Sequence, residues 1–208
     1  MEFEVLDVGA LPAAVVPTLS FLIGIEAADG RAVRGLGLNV RLQIAAQRRR
    51  YAAPERERLR ELFGDSSQWA RSLNPVPWTE TTLNVQAFEA ATTVELRVAC
   101  TYDFDVTAAK YLAALEAGDI PLELLFSGTL FFTAPDGRLQ TALVPWDRDA
   151  SARVPVAVWR DAMRGAFGDA PWLRVQRDVF ERLQAERSRR GFATWEQTLD
   201  ALLAESDA

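Results

Sequence analysis

Gln47-Arg48-Arg49-Arg50-Tyr51 holds the densest positive charge in the sequence. Three successive guanidiniums offer planar donor forks that match a carboxylate or a phosphate bidentately. The run follows an alternating apolar segment ending at Ile44 and precedes an acid-bearing helical segment with Glu55, Glu57 and Glu61. The arginines are therefore either a solvated strand end neutralised by those acids, or a fork, Arg48 to Arg50 with Tyr51, for a carboxylate on a ligand or on a partner's tail. Nucleic acid fits less well. No aromatic stacking platform or second basic stripe accompanies the run, and the chain is acidic, with a net charge of -6 and a pI near 4.9.

Other residues with chemical potential are sparse. Asp103 and Asp105 lie two apart in Tyr102-Asp103-Phe104-Asp105, with Glu95 farther along the same parity. Paired acids can hold a hard cation or share acid–base work, and they also suit a polar outer strand face. Cys100 shares the apolar parity of Val98 and reads as a small buried hydrophobe. Lys110, beside Tyr111, reads as a stem lying across a sheet edge. Phe126-Ser127-Gly128-Thr129 is not a nucleophile elbow; Gly128 inside a strand marks a bulge or a close backbone approach. Gly35-Leu36-Gly37 precedes a strand and lacks a third glycine, so it is no phosphate loop.

The chain contains no histidine, one cysteine and one lysine among 208 residues. Without histidine there is no Ser-His or Cys-His system, and the commonest general base and metal ligand are missing. We expect no catalytic residue, no metal and no cofactor. One cysteine permits no intrachain disulfide and suits a reducing compartment. The opening MEFEVLDVG is acidic and alternating, unlike a signal peptide. No apolar run approaches the roughly 18 residues a membrane helix needs. These features predict a cytoplasmic protein without membrane insertion.

The six tryptophans are candidate contact residues. Trp69 and Trp78 flank the irregular SLNPVP stretch and join Arg48, Arg49, Arg50 and Tyr51 as candidate binding residues. Trp146, Trp159, Trp172 and Trp195 punctuate the C-terminal part. Most should pack helices on a sheet, and any that is exposed would be an anchor for another protein.

The elements that must position these groups are written mainly in period two. Leu19 to Ile25, Leu38 to Ile44 and Val94 to Val106 alternate, as half-buried strands do. Ile120 to Phe132 is apolar on both parities near its end and reads as a central strand. Pro135-Asp136-Gly137 turns the chain back into Leu139 to Val144. Pro54 to Phe63 reads as a helix stopped by Gly64, and Thr107 to Ala117 as another stopped by Gly118. After Trp146 the pattern changes to period 3.6. Pro155 and Pro171 open helices, and Thr194 to Gln197 fits a capping box. The prediction is an α+β chain in a single domain: residues 1–150 an antiparallel β-sandwich of about seven strands, with helical insertions near 54–72 and 107–117, and residues 151–208 helices packed on the sandwich.

A series of segments resembles one family along nearly the whole chain: PTLSF (17–21), RRRY (48–51), Leu59 to Gly64 followed by Trp69, CTYD (100–103), KYLAALEAGDIPLELLFSGTLF (110–131), VPW (144–146) and VPVAVWRDAM (154–163). The family is a mainly actinobacterial domain of unknown function whose genes lie among those for nickel-iron hydrogenases and their maturation. The resemblance implies an accessory role in assembling or stabilising such an enzyme, with a hydrogenase subunit or maturation factor as partner. It carries over no catalytic residue. We therefore expect a non-enzymatic protein-binding accessory factor. The alternative is a small-ligand module in which the Arg48–Arg50 cluster and a sheet–helix cleft take an anionic group.

Overall fold

The computed structural model describes residues 1–27, 32–100, 106–134, 136–167 and 175–206. The chain divides into two compact units, Met1–Ala170 and Pro171–Ala208. In the first, the strands are β1 (Glu2–Ala10), β2 (Thr18–Glu26), β3 (Ala32–Ile44), β4 (Val76–Val85), β5 (Phe88–Glu89), β6 (Ala91–Ala99), β7 (Asp119–Thr133), β8 (Leu139–Val144) and β9 (Asp149–Pro155). The helices are α1 (Ala53–Arg58), α2 (Arg60–Phe63), α3 (Trp69–Ser72), α4 (Val106–Ala114) and α5 (Val156–Phe167), with 3-10 turns at 46–48 and 66–68. The second unit holds α6 (Arg177–Arg190) and α7 (Trp195–Ser206).

The strands form two antiparallel sheets. One is ordered β1-β2-β6; the other is ordered β4-β3-β7-β8, with β5 also on β3 and β9 also on β7. The result is the expected α+β, sandwich-like fold. Alternation builds its interior. Leu19, Phe21, Ile23 and Ile25 of β2 are buried, as are Leu36, Leu38, Val40, Leu42 and Ile44 of β3. Val40, Leu42 and Ile44 stand opposite Phe126, Leu124 and Leu122 of β7, all buried. Phe3 of β1 stacks on Phe126 at 4.2 Å. Removing a side chain of this size from water contributes about 1.5–3 kcal/mol, so these rows set the register.

Strand β7 is central, as its two-sided apolar pattern predicts, and bonds to β3 on one edge and to β8 and β9 on the other. Gly128 is the close approach. A Cβ there would lie 2.0 Å from the Gly37 carbonyl oxygen, so no side chain fits. Nine strands are present among the described residues, more than the seven expected. Strand β4 was hidden because its Thr-rich sequence is only half-buried at a sheet edge. Strand β9 falls in a stretch read as helical; Ala150, Ala152 and Val154 alternate inward there, so the sheet runs past residue 150.

Gly64 and Gly118 take the positive φ values, 74° and 76°, expected of helix stops. Thr107 lies inside α4, which begins at Val106. Helix α5 packs against β1, β2 and β9 and buries Trp159, Ala162 and Met163. In the second unit, Gln197 N–H donates to Thr194 Oγ1 and Thr194 N–H donates to Gln197 Oε1, both at 3.3 Å. That is the capping box read from the sequence. Helix α6 begins at Arg177, and Pro171, where the sequence pattern opens it, lies outside the described residues with Trp172. Gly191 ends α6 with φ 71°. Arg190 spans Glu186 and Glu205 and so ties α6 to α7. Phe180 packs on Trp195 at 5.4 Å.

Candidate functional site

The three arginines of the basic run have different environments. Arg49 is built into the fold. Its side chain is 8% exposed, and its Nη2 lies 2.6 Å from Glu55 Oε1, whose side chain is 4% exposed. Arg49 also donates to the Ala117 and Asp119 carbonyls, each at 2.5 Å. Glu55 accepts the Ala52 N–H and the Glu116 N–H, each at 2.9 Å. Burial raises the Glu55 pKa. The Glu116 and Ala52 N–H groups and the Arg49 guanidinium outweigh it, and the carboxyl sits below its usual value.

This pair joins the start of α1 to the connection between α4 and β7. A helix C-terminus leaves carbonyls without intrahelical donors and carries partial negative charge. Here Arg58 and Arg160 supply donors to Ala114 and Leu115, while Arg49 bonds the carbonyls of Ala117, in the connection that follows, and of Asp119, the first residue of β7. Glu55 thus holds Arg49 against the connection between α4 and β7.

Arg48 and Arg50 point elsewhere. Arg48 is half-exposed, 2.5 Å from Glu123 Oε1 and 3.4 Å from Ser151 Oγ. Arg50 is exposed and makes no hydrogen bond or ion pair to another described residue. Arg153 of β9 reaches the same place, a part the sequence did not suggest. With Arg48, Arg50, Glu116, Asp119 and the Arg49–Glu55 pair it lines an open groove of about 460 Å³.

Tyr51 and Trp69 belong to an interior aromatic cluster. The Tyr51 hydroxyl bonds the Ala46 carbonyl and the Tyr111 hydroxyl, both at 2.7 Å. Its ring meets Trp69 edge-on at 5.2 Å and Tyr111 at 6.3 Å. Phe63 completes the group, and Trp69 Nε1 donates to the Gly64 carbonyl at 3.0 Å. Burial pushes the Tyr111 hydroxyl up to about 12 and raises that of Tyr51 as well. Trp78, on β4, is half-buried against the core. The six candidate binding residues do not gather at one surface: Tyr51 and Trp69 are spent on packing, while Arg48, Arg49 and Arg50 line the groove, Arg49 already bonded to Glu55.

Remaining sequence candidates resolve simply. Cys100 is buried, and burial raises its thiol to about 12, which disfavours the nucleophilic thiolate. Glu95 is bonded by Arg97 and by Ser20 and is held below its usual value; a general acid needs the reverse. Lys110 pairs with Glu61 and links α4 to α2. Asp103 and Asp105 lie outside the described residues.

A second surface went unnoticed in the sequence. Strand β8 ends one edge of the larger sheet, and two of its apolar side chains face water: Leu139 is 65% exposed and Leu143 80%. Thr141 lies between them on the same face, opposite Phe131 of β7, which is also exposed. Gly35 and Gly37 of β3 stand opposite Phe131 and Thr129 and leave the adjoining surface flat. Trp146, two residues beyond β8, is 91% exposed. A faint signal existed: β8 is apolar on both parities, which a one-sided edge strand has no packing reason to be.

No described helix is long and apolar enough to cross a membrane. The chain belongs to a family of unknown function, DUF6084, whose model matches residues 1–208. No curated protein matches it. A crystal structure of selenomethionine-labelled β-glucosidase from Kluyveromyces marxianus is similar at 9% identity and a TM-score of 0.27, over 74% of this chain and 14% of that one. A likeness so slight carries no argument.

Proposed function

We propose that this protein is a non-enzymatic, protein-binding accessory factor that meets its partner on the outer face of β7 and β8. The supporting observation is the row Leu139, Phe131 and Leu143, exposed on one flat face beside Trp146. Exposed apolar surface of this kind marks interaction sites, and aromatic side chains dominate binding energy when a partner covers them. The family resemblance adds the finer reading: the partner is a nickel-iron hydrogenase subunit or a maturation factor, met in the cytoplasm. Affinity purification of tagged protein from the native host, read by mass spectrometry, tests it. Such proteins should be recovered with the wild type and with Arg50→Ala, and lost with Leu143→Asp. Their absence while they are expressed removes the hydrogenase assignment; undiminished recovery by Leu143→Asp removes the surface.

One observation favours a second reading, a small anionic ligand. Arg153 converges on Arg48 and Arg50 at the groove, and guanidiniums bind carboxylate and phosphate by paired hydrogen bonds. Calorimetric titration with a di- or tricarboxylate should then give binding that Arg153→Ala abolishes. Heats that do not change in Arg153→Ala would dismiss it.

A further inference from the structure

A β-strand at a sheet edge presents unpaired N–H and C=O groups, and proteins blunt such edges with charge, proline, bulges or shortness. The other edges here follow that rule. β1 carries Glu2, Glu4 and Asp7 and a register shift between Val5 and Asp7. β4 carries Pro77 and Glu80, and its pairing with β3 is irregular at Leu42/Gln43. β5 has two residues. β6 bears Glu95 and Arg97, and β9 bears Asp149 and Arg153. β8 reads LQTALV and has none of these devices.

The direction of its backbone groups follows from the hairpin. Ala134 N–H donates to the Arg138 carbonyl at 2.9 Å. Antiparallel pairs alternate between bonded and non-bonded, and the register continues as Phe132↔Gln140, Leu130↔Ala142 and Gly128↔Val144. Those pairs face β7. Leu139, Thr141 and Leu143 therefore turn their N–H and C=O groups to the open edge, where no other described backbone group meets them.

We propose that β8 pairs antiparallel with β8 of a second copy of this chain, about a two-fold axis at Thr141. Thr141 then faces its own copy, and Leu139 of each chain faces Leu143 of the other. Every outward backbone group of these three residues finds a partner. Apolar stands opposite apolar, Thr opposite Thr, and the uncharged strand brings no like charges together, all of which favour cross-strand pairing. The contact is isologous and closes at a dimer. It joins the two larger sheets into one and places both apolar outer faces side by side, so a further partner meets a doubled surface. The inference rests on the reading of β8 as an interaction strand and names one occupant of its edge.

Sedimentation velocity and disulfide trapping on the full chain test it. The wild type should sediment as a dimer. Thr141→Pro, which removes an N–H that β7 does not use, should sediment as a folded monomer by circular dichroism. Thr141→Cys should form a covalent dimer on mild oxidation, the native Cys100 being buried. Leu139→Cys should not, because the two copies of residue 139 would stand four positions apart, about 14 Å at ~3.4 Å per residue, beyond the roughly 7 Å a disulfide spans. A wild type that is monomeric at its highest soluble concentration, or equal trapping at 139 and 141, overturns the pairing and leaves the edge to a strand of another protein. A monomer that still recovers its partner removes only the pairing; a dimer that recovers none removes only the accessory function.

Discussion

The arginine run and strand β8 are opposites. The run has three charges in a row, and its middle guanidinium is the most completely bonded of them, fixed by Glu55 and two carbonyls. β8 has no charge at all, yet Leu139, Thr141, Leu143 and its backbone edge are left open. The difference shows that conspicuous chemistry in a sequence measures what the fold must satisfy as often as what it offers. Arg49 is spent on Glu55 and on the carbonyls that lead into β7; Leu143 touches little of its own chain.

The largest effect expected from this contrast is on Arg49. Arg49→Ala strands Glu55 as a buried unpaired charge and leaves two carbonyls without donors. Breaking such a pair costs about 3–5 kcal/mol, and urea unfolding should show the midpoint falling accordingly. A loss under about 1 kcal/mol would mean that the pair is not buried in solution.

Acid probes the same pair. The folded Glu55 value is lowered, so its contribution is present above the unfolded value of about 4.3 and lost as pH falls through the folded value. Wild-type stability should therefore drop below roughly pH 4.3 more steeply than that of Glu55→Gln. Parallel curves would show that Glu55 titrates alike in both states.

Tyr51→Phe removes the bonds to Ala46 and Tyr111 while keeping the ring. Its cost should be about 1–2 kcal/mol, read by thermal unfolding, without loss of partner recovery.

The smallest stability effects belong to the open surfaces. Arg50→Ala, Arg153→Ala and Leu143→Asp should each change unfolding free energy by no more than about 0.5 kcal/mol. Of the three, only Leu143→Asp should weaken association. A large stability loss in Leu143→Asp would place Leu143 in an intramolecular contact.

Much of the frame was legible because period two is enforced by burial. Leu19 to Ile25 and Leu38 to Ile44 could have no other phase, and Gly128, Gly64 and Gly118 announced the backbone they adopt. β4 and β9 were not legible. The first is half-buried and rich in Thr, and the second is seven residues running into the helix that begins at Val156. The site was harder still. That Arg49 turns inward while Arg50 turns out depends on where Ala117 and Asp119 lie, 68 and 70 residues later, and no local pattern encodes it. The openness of β8 is a property of sheet order, visible only once β8 is known to have no described strand beyond it.

Amide hydrogen exchange along β8, read residue by residue in concentrated and in dilute protein, tests most directly whether this strand is where the chain meets another copy. The Gln140, Ala142 and Val144 amides, bonded within the sheet, should be protected at both concentrations. The Leu139, Thr141 and Leu143 amides should be protected when concentrated and exchange freely on dilution. Free exchange of those three at every concentration would contradict the account.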